Sequence, residues 1–247
     1  MRAWPARPAR LDLESPATAR LAGVEPKTLD HIAFWVADRQ PIVDFATRHL
    51  GMHVIDEQEN FTLVGSNARR GKLTLFVAEG PRDRGALKHV ALRVSDLDAA
   101  RAELPNGSGD EVELGEGVRV RLVEAPTDVD YDLDHVALYT RAPEQTADEY
   151  TRLGFDHAQP SEQGNPRVEV GGAYVEFHEG DPGEPERPLL NHLAVLVDSA
   201  EEHAAEAEDL GIVESVVDAA NTRAVFVWGP DRVRIEYVEH KPTFSLQ

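Results

Sequence analysis

The chain offers ten histidines and no cysteine to a metal ion or a migrating proton, and four of the histidines recur in one setting. His31, His89, His135 and His192 each stand third in a short segment: LDHIAFWV from Leu29, LKHVALRV from Leu87, LDHVALYT from Leu133 and LNHLAVLV from Leu190. Two glutamates answer two of them, Glu176 lying 41 residues after His135 and Glu236 lying 44 after His192. Imidazole nitrogen and carboxylate oxygen together suit Fe(II), Mn, Co, Ni or Zn. Without cysteine, thiolate metal sites, disulfides and a thiol nucleophile are excluded.

The four histidine segments have the β-branched and apolar content of buried strands. Their histidines are 58, 46 and 57 residues apart, which reads as two similar pairs joined end to end. After each strand comes a helical stretch. Three end alike, at Leu50-Gly51-Met52, Leu153-Gly154-Phe155 and Leu210-Gly211-Ile212, where glycine supplies the left-handed residue past the last turn. The second ends on Leu104-Pro105 and begins at Ser95 and Asp98, a capping-box pattern. Alternating strands then close each unit, the last of them KLTLFVAE, VRVRLVEA, AYVEFHEG and VRIEYVEH.

A unit of this length cannot bury its sheet face alone, so units must pair. The expected fold is α+β, with four βαβββ modules paired in sequence order into two domains. These would be an N-terminal arm at 1–27, a domain at 28–126 and a second at 127–247, divided in the polar stretch 125–132.

Side chains alternate across a strand, so one apolar row fixes the opposite row. Val233, Ile235 and Tyr237 belong under the helices, which sends Arg234 and Glu236 to the other face. Ala173, Val175 and Phe177 do the same for Tyr174, Glu176 and His178, and Val136 and Leu138 for His135 and Ala137. His135, His192, Glu176 and Glu236 are therefore expected to converge in one cup of the C-terminal domain. In the N-terminal pair, the residue 44 past His31 is Leu75, and the counterpart of Glu236 in VRVRLVEA is Arg121. Neither coordinates a metal, so His31 and His89 are read as structural histidines and that domain as metal-free.

With this ordered set in view, residues 28 to 240 resemble the vicinal oxygen chelate superfamily of glyoxalase I, fosfomycin and bleomycin resistance proteins, methylmalonyl-CoA epimerase and extradiol ring-cleaving dioxygenases. The resemblance implies paired βαβββ modules around a divalent metal, with His135, His192 and Glu236 as ligands and Fe(II) ahead of Ni, Co, Zn or Mn. Two domains in one chain, and Gly229-Pro230-Asp231 before Glu236, resemble the extradiol enzymes. Against that, Phe226 stands where those enzymes place a tyrosine, and residues 213–221 hold no histidine. Glu176 resembles the fourth ligand of glyoxalase I and the epimerase, with His178 and Tyr174 as acid, base or substrate contacts. The implied activities are thus a dioxygenase (an oxidoreductase), a lyase or isomerase, or metal-free drug binding as in the resistance proteins.

The net charge of -20 opposes binding to nucleic acid or an anionic membrane surface. No apolar run approaches the ~20 residues of a spanning helix, and the first 27 residues lack the apolar segment of a secretory signal. No nucleotide-binding glycine motif appears. These features predict a cytoplasmic protein acting on a small molecule; a homodimer is allowed, although one chain carries enough modules to complete a cup.

Overall fold

The computed structural model describes residues 25–66, 70–105, 109–209 and 211–246; most of the expected N-terminal arm lies outside them. The first module runs β1 (Thr28–Val36), α1 (Gln40–His49), β2 (His53–Glu57), β3 (Phe61–Gly65) and β4 (Lys72–Val77). The second is shorter: β5 (Leu87–Val94), α2 (Leu97–Glu103), β6 (Glu111–Gly115) and β7 (Val118–Glu124). It is βαββ among the described residues, one strand fewer than expected. The third comprises β8 (Asp132–Thr140), α3 (Pro143–Arg152), β9 (Asp156–Ala158), β10 (Arg167–Val170) and β11 (Ala173–Glu179). The fourth comprises β12 (Leu190–Leu196), α4 (Ala200–Asp209), β13 (Val213–Asp218), β14 (Thr222–Trp228) and β15 (Arg234–His240), with a 3-10 turn at Pro230–Arg232.

Helix ends follow the sequence signals closely. Gly51, Gly154 and Gly211 have φ of +58°, +91° and +68°, the left-handed conformation that closes a helix without a Cβ clash. The start of α2 differs from the capping-box reading. Asp96, not Ser95, is the N-cap, accepting a hydrogen bond from the Ala99 amide at 2.9 Å, because its extended backbone turns the carboxylate onto the open turn.

Module pairing corrects the expected domain organisation. One sheet has the order β13-β14-β15-β12-β1-β4-β3-β2 and the other β6-β7-β5-β8-β11-β10-β9. The first module therefore pairs with the fourth, through antiparallel β1 and β12, and the second with the third, through antiparallel β5 and β8. Residues 125–132, read as a boundary, instead link two modules of the same sheet. The connections that cross between sheets are 78–86 and 180–189, and they lie side by side, the Leu189 amide donating to the Asp83 carbonyl at 2.7 Å. Because all four opening strands carry the same pattern, each presents an equivalent edge, and local sequence does not state which two meet.

The apolar rows of both sheets and the buried faces of the helices form one continuous core, from Ile32 and Phe34 through Val90, Val136 and Phe177 to Ile235 and Tyr237. Each fully buried large side chain in it contributes roughly 1.5–3 kcal/mol of transfer free energy. Polar contacts bind the halves further. Glu116, held at φ +47°, accepts from the Ala37 and Asp38 amides at 2.7 and 2.6 Å just before α1, and the buried Tyr237 hydroxyl donates to Leu153 O at 2.6 Å. Both sheets thus turn their apolar rows inward and leave the histidine rows on the opposite faces.

On those faces the registers coincide. Ala33 pairs with Thr74, Ala91 with Arg121, Ala137 with Glu176 and Ala194 with Glu236, each two residues past its histidine. These four partners hold one equivalent position, where a carboxylate can join the histidine pair. In the first module that position belongs to Thr74 and not Leu75, because loop lengths differ and a fixed count of residues misses the register by one.

Candidate metal centre

Three adjacent strands of the eight-stranded sheet bring together His31 of β1, His192 of β12 and Glu236 of β15. One ligand atom from each lies within 4.8 Å of the other two. The two Nε2 atoms are 3.1 Å apart, and Glu236 Oε2 is 3.2 Å from His31 Nε2 and 2.9 Å from His192 Nε2. All three residues are nearly buried, and Glu236 Oε2 makes no well-aligned hydrogen bond despite its two imidazole neighbours. A buried carboxylate oxygen so placed lacks its normal compensation. This donor set fits a divalent ion.

The other ring nitrogens are anchored by the preceding residue. His192 Nδ1 donates to Asn191 Oδ1 at 2.9 Å and His31 Nδ1 to Asp30 Oδ1 at 2.8 Å, which leaves Nε2 for a ligand. Asp30 is itself buried, and its second oxygen takes Lys72 Nζ at 2.8 Å and His240 Nε2 at 3.2 Å. The protonation of the ion-free set follows from these contacts. Burial works against a charge on His31, but Asp30 and Glu236 overcome it and raise the ring to about 9. For His192 burial prevails and lowers it to about 4. Glu236, despite its burial, is held well below the usual carboxylate range by the two histidines. One proton, on His31, balances one carboxylate.

Around the triad the face is largely apolar. The rings of Phe226 and Phe76 lie 5.3 and 6.1 Å from that of His192, and Ala194, Ala224, Phe226 and Val238 form a small cluster apart from the main core. Arg234 stacks 3.8 Å above Phe226 and donates to Glu214 at 2.6 Å.

This geometry divides the expected ligand set. His192 and Glu236 do meet, but the histidine that completes their cluster is His31, assigned from sequence to a structural role. His135 and Glu176 lie in the other sheet with His89. The division follows directly from module pairing. A sequence signal for His31 existed in the residue ahead of it: Asp30, Asn191 and Asp134 each take the Nδ1 proton of the next histidine, and only Lys88 breaks the series.

In the seven-stranded sheet His89 Nε2 and His135 Nε2 are 3.2 Å apart, but with Glu176 they do not form a compact ligand group among the described residues. Glu176 Oε1 lies 2.9 Å from His178 Nε2 and accepts from Asn165 Nδ2 at 3.1 Å, and these neighbours, with His135, draw its pKa down to about 2 against the effect of burial. Tyr174 packs beneath Arg167, 4.6 Å from the ring centre. His178 and Tyr174, expected to serve the metal, thus line the opposite sheet from the triad.

With the geometry established, comparison with known proteins is direct. Residues 28–128 match the family model of the glyoxalase/bleomycin resistance protein/dioxygenase superfamily. No curated protein sequence matches the chain. Among solved structures, it is similar to a "putative dioxygenase" from Bacillus subtilis at 14% identity and TM-score 0.71, over 89% of this chain and 87% of that one. It is similar as well to glyoxalase I from Zea mays at 15% identity and TM-score 0.63, over 86% and 92%. The chain has the vicinal oxygen chelate fold. Within that fold the model match spans the first and second modules, one from each sheet, so it includes both His31 and His89.

Proposed function

We propose that this vicinal oxygen chelate protein is a divalent-metal-dependent enzyme acting on a small molecule, that its centre is His31, His192 and Glu236, and that its chemistry is of the oxygenase rather than the isomerase kind. The observation that carries this reading is the residue at the fourth position. Thr74 stands there in register with Glu236, so the protein offers two imidazoles and one carboxylate. That is the donor set of the facial triad of non-haem Fe(II) oxygenases, and it leaves roughly three positions of an octahedral ion open. A bound Fe(II) would supply a Lewis acid and a place where a chelating substrate and dioxygen meet.

The remaining residues bind and exclude. Phe76 and Phe226 form an apolar wall beside His192 that suits a flat substrate and keeps water from it. Asp30 and Asn191 fix the direction of both imidazoles, so little reorganisation is needed on loading. The likeness in fold to glyoxalase I and to a dioxygenase-like protein supports an enzyme. No described helix is long and apolar enough to cross a membrane.

Anaerobic loading with Fe(II), followed by oxygen uptake on a panel of catechols, tests the proposal. Uptake that is lost in Glu236→Ala is expected. A loaded chain with no uptake across the panel, or uptake indifferent to Glu236, would overturn it.

A further inference from the structure

We propose that the histidine face of the seven-stranded sheet is a second small-molecule site, one that takes an oxyanion, a carboxylate or phosphate group, and not a metal ion. The register places Arg121 opposite Ala91, where Glu236 stands opposite Ala194 in the metal centre. A guanidinium does not deprotonate to coordinate. The guanidinium of half-buried Arg121 makes no hydrogen bond or ion pair among the described residues. Glu111 is its cross-strand partner, yet that carboxylate lies 3.5 Å from Arg119 Nη1 and 3.4 Å from His89 Nδ1.

A second cation stands beside it. Lys88 replaces the Asp or Asn that precedes the other three histidines, and its Nζ donates to His178 Nδ1 at 3.0 Å. The bond requires that Nδ1 carry no proton, so the ring proton sits on Nε2, 2.9 Å from Oε1 of Glu176, the carboxylate at the register position of Glu236. Burial first, then His135, Lys88, Arg121 and His178, holds His89 neutral, lowering it to about 3. A divalent ion would meet the positive charges of Arg121 and Lys88 and two carboxylates already engaged, Glu176 by His178 and Asn165 and Glu111 by Arg119. An oxyanion would meet an unpaired planar fork, whose paired N–H groups match carboxylate and phosphate oxygens, with an ammonium close by. The chain's net charge of -20 makes the inference sharp, since saturable anion binding to such a protein has to be local.

Calorimetric titration of the full chain at low ionic strength with inorganic phosphate and, separately, with succinate tests this. One saturable site per chain is expected, weakened about tenfold or more in Arg121→Ala and in Lys88→Ala and partly retained in Arg121→Lys. Saturation by phosphate alone assigns a phosphate group, and by succinate alone a carboxylate. A parallel Mn(II) titration of the parent is expected to give one ion per chain. Binding of neither anion, anion binding unaffected by both alanine substitutions in folded protein, or a second Mn(II) ion lost in His135→Ala would overturn the proposal.

Discussion

The two sheets are built from the same module and present the same pair of facing imidazoles, with Nε2 separations of 3.1 and 3.2 Å, yet they differ in what surrounds the pair. In the eight-stranded sheet both histidines are anchored by an acidic or amide residue, and Glu236 completes a compact triad against phenylalanine. In the seven-stranded sheet one anchor has become Lys88, the fourth position has become Arg121, and Glu176 is tied to His178 and Asn165. The histidines alone therefore do not make a metal site. The residue before each histidine and the residue across from the following alanine decide the charge of the face, and with it the class of ligand proposed for each.

The comparison breaks most visibly at the anchors. Asp30→Ala leaves fully buried Lys72 without its carboxylate and should cost about 3–5 kcal/mol of stability by urea unfolding. Asp134→Ala, which frees His135 and the less buried Arg93, should cost about 1–2 kcal/mol. Equal losses would mean that the anchors are equivalent.

Opposite pH limbs separate the histidines themselves. His31, raised to about 9, contributes stability that is complete below its unfolded value of 6.5 and is lost as pH rises through 9, about 3 kcal/mol in the chelator-treated chain. His89, lowered to about 3, binds fewer protons folded than unfolded below pH 6.5, so it removes stability as pH falls. Urea unfolding across this range should show His31→Ala flattening the alkaline limb and His89→Ala easing the acid one.

Metal affinity distinguishes the glutamates. Glu236→Ala is expected to weaken Co(II) binding about a hundredfold or more, whereas Glu176→Ala leaves it within about twofold, by competition with a chromophoric chelator. A comparable loss for Glu176 would restore the sequence-based ligand set. A smaller change comes from filling the fourth position: Thr74→Glu should tighten Co(II) binding about tenfold in the same assay while suppressing oxygen uptake, because it closes a position needed by the reactants.

Much of this was legible in the chain. The four strands, the glycine helix ends and the alternation that sends Glu176, Glu236 and Arg121 to the histidine faces all follow from local chemistry. Partner choice was not legible, because Leu29, Leu87, Leu133 and Leu190 open near-identical edges and the short link at 125–132 looks like a boundary by composition. That one nonlocal fact places His31 in the proposed metal centre and His135 and Glu176 in the other sheet. Counting residues from His31 to Leu75 compounded the error, since strand register and not sequence distance selects Thr74.

The most direct test is the anomalous scattering of a crystal of the full chain grown with Mn(II). One strong peak is predicted, within bonding distance of His31 Nε2, His192 Nε2 and a Glu236 carboxylate oxygen. A peak bonded instead to His135 and Glu176 would contradict the assignment of the metal to the eight-stranded sheet.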